Sequence, residues 1–159
     1  MQKRFKIDWI LVDELAIGPA PLANRHVLRL QDAGIKAILS LCKREEVQSP
    51  SSMQELFPCH RYVLPDHRSG RLPKPSEVKE ALSLLAELYQ KHGSVYVHCV
   101  AAMERSPLVC MAWLVQRHRL RPEQALDYLM QVHPGTNPLP GQLALLHHSS
   151  LNVPPAGEA

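Results

Sequence analysis

Cysteine is scarce in this chain, and its four cysteines lie far apart, at Cys42, Cys59, Cys99 and Cys110. Their separations match neither the dense pairing of a disulfide-stapled domain nor the short Cys-x2-Cys spacing of a zinc ribbon. We therefore expect no metal site and a reducing, cytoplasmic environment.

The chain also lacks a long apolar run and a basic stripe. The longest apolar run, Leu108 to Val115, is much too short to span a bilayer. Asp8, Asp13 and Glu14 interrupt the N-terminal segment where a signal peptide needs apolar residues. The formal net charge is only +3, and the basic residues are scattered rather than interleaved with aromatic ones. The sequence therefore predicts neither a membrane span nor a nucleic-acid partner.

The overall composition is that of an ordinary globular protein, with 45% hydrophobic and 21% charged residues over 159 positions. This length supports one domain with a substantial core, which we place at residues 1–150. Residues 151–159 have no pattern, and we expect them to form a disordered tail. We expect the protein to be a monomer.

Short apolar strands alternate with amphipathic helices along the chain. The predicted strands are 9–12, 15–17, 35–41, 61–64 and 94–98. The predicted helices are 24–33, 76–92, one that begins at Ser106, 122–133, and one that runs from Leu139 or Gly141 to His148. We expect Asn24, Ser76 and Ser106 to be N-caps. This alternation indicates an α/β domain with a central, mostly parallel sheet of about five strands, flanked by helices on both faces. Since Cys42, Asp66 and Cys99 each follow a predicted strand, parallel strands would gather them at one edge of the sheet.

The decisive stretch is residues 98–107, which reads His-Cys-Val-Ala-Ala-Met-Glu-Arg-Ser-Pro. A strand, a loop and a helix N-terminus in succession hold an anion well, because the loop amides can turn inward and the first helical N–H groups are free. Arg105 adds a planar fork of donors that matches phosphate oxygens. The thiol of Cys99 would lie in the same positive field, which favours the nucleophilic thiolate.

This Cys-x5-Arg-Ser pattern after a strand resembles the signature loop of the protein tyrosine phosphatase superfamily, and the chain is most similar to its compact dual-specificity branch. The likeness runs from about Trp9 to Leu146. It implies that the phosphate is bound by the loop residues Val100, Ala101, Ala102, Met103, Glu104 and Arg105. It also implies that Cys99 forms a phosphocysteine, that the Ser106 hydroxyl stabilises the departing thiolate, and that no cofactor is required. The resemblance implies as well that the matching histidine, His98, orders the loop.

Asp66 is the candidate general acid. A departing oxyanion needs a proton and the hydrolytic water needs a base, and one carboxyl group can serve both steps in turn. Asp66 lies 33 residues before Cys99 (99 − 66), which is similar to the spacing in the dual-specificity branch. Its other interpretation is a simple turn aspartate after Pro65.

Cys42 is a possible redox partner of Cys99. Some relatives carry a cysteine in a similar place that forms a reversible disulfide with the nucleophile. Since a plain buried thiol explains Cys42 equally well, both interpretations stay open.

Two residues of the loop depart from the family pattern. Ala102 stands where the family usually has glycine, so we expect strain or a variant path there. Glu104 places a carboxylate beside the anion site, where it either repels phosphate or pairs outward with a basic neighbour. The loop has no lysine, in contrast to relatives that act on highly charged inositol lipids.

The sequence therefore predicts a cysteine-dependent phosphatase that acts on phosphotyrosine, phosphoserine or phosphothreonine of proteins. Three other substrates stay open, namely a small phosphorylated metabolite, a glucan phosphate and a simple phospholipid phosphate. A non-catalytic phosphate-binding adaptor is the alternative from another class. A sulfurtransferase or an arsenate reductase fits less well, because their thiol loops differ in size or in position along the chain.

Overall fold

The computed structural model describes residues 4–138, 140–148 and 151. In them the strands are β1 (Asp8–Leu11), β2 (Leu15–Gly18), β3 (Ala37–Ser40), β4 (Cys59–Arg61) and β5 (Val95–His98). The α-helices are α1 (Asn24–Asp32), α2 (Ser51–Leu56), α3 (Pro75–His92), α4 (Arg105–His118), α5 (Pro122–Val132) and α6 (Pro140–Leu145). A short 3₁₀ helix covers His67–Ser69.

The five strands form one sheet in the order β1-β2-β5-β3-β4. The strand β1 pairs antiparallel with β2, and the remaining pairs are parallel. Gly18 of β2 and Ser40 of β3 are both in register with His98 of β5. The carboxyl ends of the three central strands are therefore level, and Cys99 is the first residue beyond them.

Helices cover both faces of the sheet. One hydrophobic cluster includes Val95 and Val97 of β5 together with apolar residues of α3, α4 and α5. The cluster on the other face contains Tyr96 with residues from α1 and α2. The sheet is buried on both faces, as parallel sheets are, and the predicted α/β architecture is confirmed.

The predicted N-caps are wrong. The helix α4 begins at Arg105, so Ser106 is its second residue. Likewise α3 begins at Pro75, and the carboxylate of Glu77 accepts a hydrogen bond from the Lys74 backbone N–H at 2.8 Å. Asn24 is the first residue of α1, and its side chain accepts a hydrogen bond from Ser52 Oγ of α2 at 2.7 Å. Proline within the first turn is as good a start signal as a capping serine, because the N–H groups there have no helical partner.

The region between β3 and α3 differs most from the prediction. The helix α2 lies between the predicted strands 35–41 and 61–64, where the sequence predicted neither a helix nor a strand, and β4 begins and ends earlier than the predicted strand 61–64. The chain nevertheless follows β3 beyond β4, since the backbone N–H groups of Tyr62 and Leu64 donate to the carbonyls of Ser40 and Leu41 at 2.9 and 3.0 Å.

The predicted tail, 151–159, lies outside the described residues except for Leu151, which is buried in the core. None of the helices found in 4–138 and 140–148 is both long and apolar enough to cross a lipid bilayer.

Candidate active site

A cleft of about 370 Å³ opens where the central strands end. It is lined by Asp66, His67, Arg68, Cys99, Val100, Ala101, Met103, Glu104, Arg105 and Asn137. Asp66 does not directly follow a strand, because β4 ends at Arg61. The fold nonetheless brings Asp66, Cys99 and Arg105 to the same cleft, as the sequence predicts.

Arg105 is held by a partner that the sequence analysis missed. Its two terminal guanidinium nitrogens donate to the two carboxylate oxygens of Glu46 at 3.0 and 2.9 Å. The hydrogen bonds from Arg105 lower the pKa of Glu46, so this carboxylate is ionised at neutral pH. The guanidinium is thus fixed in one orientation beside Cys99.

Two polar atoms at the start of α4 lack a hydrogen-bond partner among the described residues. They are Nε of Arg105 and Oγ of Ser106, and both are buried. A buried donor without a partner costs about 1–3 kcal/mol, so such atoms are rare outside functional sites. Both belong to residues predicted to contact the phosphate or the thiolate.

His98 holds the backbone of Cys99 in place. Its Nδ1–H donates to the carbonyl of Cys99 at 2.9 Å, and its Nε2 accepts from Ser40 Oγ at 2.7 Å. Complete burial lowers the pKa of His98 to about 4. The ring is therefore neutral at physiological pH, and it orders the loop without adding charge to it.

Asp66 caps the 3₁₀ helix and is engaged by Arg68. Its Oδ1 accepts from the Arg68 backbone N–H, and its Oδ2 accepts from Arg68 Nε, both at 3.1 Å. Partial burial acts to raise the pKa of Asp66, but the hydrogen bonds from Arg68 and the charges of Arg105 and Arg68 together lower it. Without a bound anion the carboxyl group is therefore ionised.

Glu104 turns towards the loop that carries Asp66. One carboxylate oxygen accepts from the backbone N–H of His67 at 2.8 Å, and the other lies 3.1 Å from His67 Nδ1. Glu104 therefore pairs with a neighbour, His67, although it also lines the cleft. The contact joins the signature loop to the acid loop, residues 66–70.

Ala102 adopts the left-handed conformation that the usual glycine would favour, with φ of 59°. Its carbonyl accepts a hydrogen bond from His133 Nε2 at 2.7 Å, and His133 Nδ1 lies 2.6 Å from Asp8 Oδ2. Each nitrogen of this buried ring thus faces an oxygen atom, one of the Asp8 carboxylate and one of the Ala102 carbonyl. Asp8 and His133 therefore fix the conformation of the loop at Ala102, and no motif in the sequence pointed to them.

Cys42 is buried near the same edge of the sheet. Arg61 contacts both its carbonyl and its sulfur, the latter at 3.9 Å. Burial nevertheless raises the pKa of Cys42, which outweighs the attraction of Arg61. Cys42 is thus a protonated thiol at neutral pH.

The model of the dual specificity phosphatase catalytic domain matches residues 22–149 of the chain. The chain is 31% identical over 102 residues to mouse dual specificity protein phosphatase 2, an alignment that covers 64% of this chain and 30% of that protein. It is 24% identical to the Arabidopsis thaliana phosphatidylglycerophosphate phosphatase PTPMT2, over 98% of this chain and 71% of the relative. The alignments cover only 14% to 30% of the length of three dual specificity phosphatase relatives.

The fold is also similar to that of solved structures. The crystal structure of PTPMT1 in complex with PI(5)P superposes with a TM-score of 0.77 at 20% identity, over 92% of this chain and 94% of the other. At this identity the likeness concerns the fold alone.

Proposed function

The chain belongs to the dual specificity phosphatase family, and on that premise we propose that it hydrolyses phosphate monoesters on proteins through a phosphocysteine at Cys99. The observation that carries the proposal is the pair of buried, unpartnered atoms, Arg105 Nε and Ser106 Oγ, at the start of the helix that follows Cys99. They supply donors for a phosphate oxygen and for a thiolate, and Arg105 lines the same cleft as Cys99 and Asp66.

In the first step the loop amides and Arg105 bind the phosphate, and the thiolate of Cys99 attacks phosphorus. The bond from phosphorus to the ester oxygen breaks, and Asp66 gives its proton to the departing oxygen. Asp66 is ionised in the free protein, so it must take up this proton when the substrate binds. An incoming phosphate dianion favours that uptake, because it repels the carboxylate and competes for Arg68.

In the second step Asp66 removes a proton from a water molecule, which attacks the phosphorus of the phosphocysteine. The bond between sulfur and phosphorus breaks, and inorganic phosphate leaves. Ser106 donates a hydrogen bond to the released thiolate, which lowers the cost of its departure. The two steps use the loop amides, side chains of the protein and one water molecule.

Hydrolysis of a panel of phosphopeptides, phospholipids and sugar phosphates, with and without vanadate, tests the proposal. We expect phosphopeptide hydrolysis that vanadate inhibits, and no turnover by Cys99→Ser although phosphate still binds. Asp66→Ala should slow esters with poor leaving groups more than esters with good ones. Undiminished turnover by Cys99→Ser would refute the proposal, and equal slowing by Asp66→Ala would remove that residue from the acid role.

A phospholipid monoester is the second candidate substrate. The observation in its favour is the match over 98% of this chain to a phosphatidylglycerophosphate phosphatase. A lipid phosphate that is hydrolysed with a kcat/KM above that of every phosphopeptide in the panel would make it the preferred substrate.

We also propose that residues 1–150 act as a single catalytic domain, monomeric and located in the cytoplasm. Size-exclusion chromatography with light scattering tests whether the protein is a monomer. Imaging of the tagged protein tests its location. A stable dimer or a location in a membrane-bound compartment would contradict them.

Peroxide is proposed to link Cys42 to Cys99. Peroxide would oxidise the Cys99 thiolate to a sulfenic acid, and the Cys42 sulfur would then displace water to form a disulfide. The closeness of the two backbone segments supports this disulfide. Leu41 and His98 directly precede Cys42 and Cys99, and the Leu41 N–H donates to the His98 carbonyl at 2.9 Å. Mass spectrometry after mild peroxide treatment should detect the disulfide, and a sulfinic acid at Cys99 with no disulfide would contradict it.

A further inference from the structure

Arg68 of the acid loop lines the cleft together with Arg105 and Cys99. Its Nη2 lies 3.7 Å from Oε1 of Glu46, the same oxygen that accepts from Arg105 Nη2 at 2.9 Å. One carboxylate therefore bridges the two guanidinium groups. A phosphate that approaches Cys99 thus meets two positive charges, one on Arg105 and one on Arg68.

The two arginines differ in how firmly they are held. The Arg105 side chain is only 5% exposed, and Glu46 fixes it through two hydrogen bonds. The Arg68 side chain is 69% exposed. Within the part of the chain that the structure describes, its Nη1 has no hydrogen-bond or ion-pair partner. Exposed side chains change rotamer within picoseconds to nanoseconds, so Arg68 is free to change partners, whereas Arg105 is not.

The main partner of Arg68 is the candidate acid, Asp66. Arg68 Nε and Nη2 both contact Oδ2 of Asp66 at 3.1 Å. Burial acts to raise the pKa of Asp66, but the hydrogen bonds from Arg68 and the charges of Arg105 and Arg68 lower it overall. The negative charge of Glu46 also faces Asp66. Arg68 thus holds Asp66 in its ionised form, which has no proton to donate.

The contact between Arg68 and Asp66 is weaker than the contact that a phosphate would offer. A guanidinium binds most strongly as a fork, with two nitrogens on two different oxygens. Here both nitrogens share the single oxygen Oδ2, at the long end of the hydrogen-bond range. A phosphate dianion offers several oxygens and twice the charge. It is therefore the better partner for Arg68 once it has entered the cleft.

We propose that Arg68 binds the substrate phosphate by exchanging partners: it leaves Asp66 and Glu46 when a phosphate dianion enters the cleft, and it donates to that phosphate beside Arg105. This inference rests on the proposed function. No covalent bond changes in the exchange. The departure of Arg68 removes contacts that favoured the carboxylate, so Asp66 takes up from the solvent the proton that it later donates. The Arg68 backbone N–H remains on Oδ1 of Asp66 at 3.1 Å and keeps the carboxyl group in place.

Binding of inorganic phosphate to Cys99→Ser tests the exchange without turnover. Adding Arg68→Gln should weaken phosphate binding about tenfold in calorimetry, because a charge-assisted hydrogen bond is lost. The Nε–H resonance of Arg68, which its absence from Arg68→Gln identifies, should shift as phosphate saturates the protein. The carboxyl carbon of Asp66 should titrate at higher pH in the phosphate complex than in the free protein.

Arg71→Gln is the matched control. Arg71 directly follows the acid loop and also pairs with a carboxylate, since its Nη1 and Nη2 donate to Glu77 at 2.7 and 2.9 Å. It does not belong to the lining of the cleft. Its loss should therefore leave the affinity for phosphate unchanged. Equal weakening by the two arginine variants, or an Arg68 resonance that does not move at saturating phosphate, would overturn the proposal.

Kinetics separate this inference from the proposed function. If the wild type hydrolyses no phosphate ester, the proposed function fails, whereas phosphate binding to Cys99→Ser still decides the role of Arg68. In an active enzyme, Arg68→Gln should raise KM for an aryl phosphate about tenfold and leave kcat within about twofold, because the phosphate loses a ligand while Asp66 loses the contact that keeps it ionised. A fall in kcat at unchanged KM would show that Arg68 only supports the acid loop, and the proposal would be wrong.

Discussion

Replacing His133 by alanine is expected to lower kcat/KM for an aryl phosphate by about thirtyfold. The ring of His133 holds the carbonyl of Ala102 at 2.7 Å, and Ala102 has a φ of 59°. Without the ring the buried carbonyl loses its partner, at a cost of about 1–3 kcal/mol. The left-handed conformation of alanine, which costs about 1–2 kcal/mol, then has nothing to maintain it.

A shift of about 2 kcal/mol against the active conformation of the loop corresponds to about thirtyfold in the competent fraction of enzyme. Steady-state kinetics measures this loss, and thermal unfolding measures any general destabilisation. His147→Ala is the control, since the exposed side chain of His147 pairs with Glu123 at 3.0 Å and is not among the residues that line the cleft. Its kcat/KM should equal that of the wild type.

A second substitution distinguishes loop positioning from a general structural role. Glycine adopts positive φ without strain, so Ala102→Gly in the His133→Ala background should recover about 1 kcal/mol, or about fivefold in kcat/KM. The same change in the wild type should have little effect. If the double variant is no more active than His133→Ala, although both are folded at the assay temperature, the reasoning about Ala102 is refuted.

Three further substitutions test separate contacts. Glu46→Gln should lower kcat/KM about tenfold by loosening Arg105, because a charge-assisted bidentate pair becomes a weaker neutral contact; unchanged kinetics would contradict this. Glu104→Ala should slow esters with poor leaving groups more than good ones, because the acid loop loses its anchor, and equal slowing would contradict it. Glu77→Gln should destabilise the protein by less than about 1 kcal/mol at pH 7. Arg71 lowers the pKa of Glu77 to about 2, so this stabilisation is complete above about pH 4.5 and is lost as the pH falls towards 2. Urea unfolding of the wild type and the variant across this range should show the difference shrink, and a constant difference would contradict the ion pair.

The fold was predictable because its signals are local. Strands such as Val95–His98 are short apolar runs, and α3 has an unbroken apolar stripe, so their order along the chain already implies a parallel sheet. The signature loop was predictable for the same reason, since Cys99, Arg105 and Ser106 lie within eight positions of one another. The family match confirms that the chain belongs to the dual specificity phosphatase branch, and the roles of these loop residues stay a prediction.

The contacts that support the site were not predictable, because they join residues far apart in the chain. Glu46 meets Arg105 across 59 positions, and His133 meets Ala102 across 31. Such pairs leave no periodic trace in the sequence. The predicted first residues of two helices were wrong for another reason. Ser76 and Ser106 are favourable N-caps, but neighbouring residues begin the helix equally well.

The most direct test of the account is to trap the covalent intermediate. Asp66→Asn should retain phosphate transfer from an activated aryl phosphate but slow the release of phosphate, so rapid acid quenching and mass spectrometry should find a phosphoryl group on the peptide that contains Cys99. Turnover with no phosphoryl group on Cys99, or with the group on another residue, would contradict the central claim.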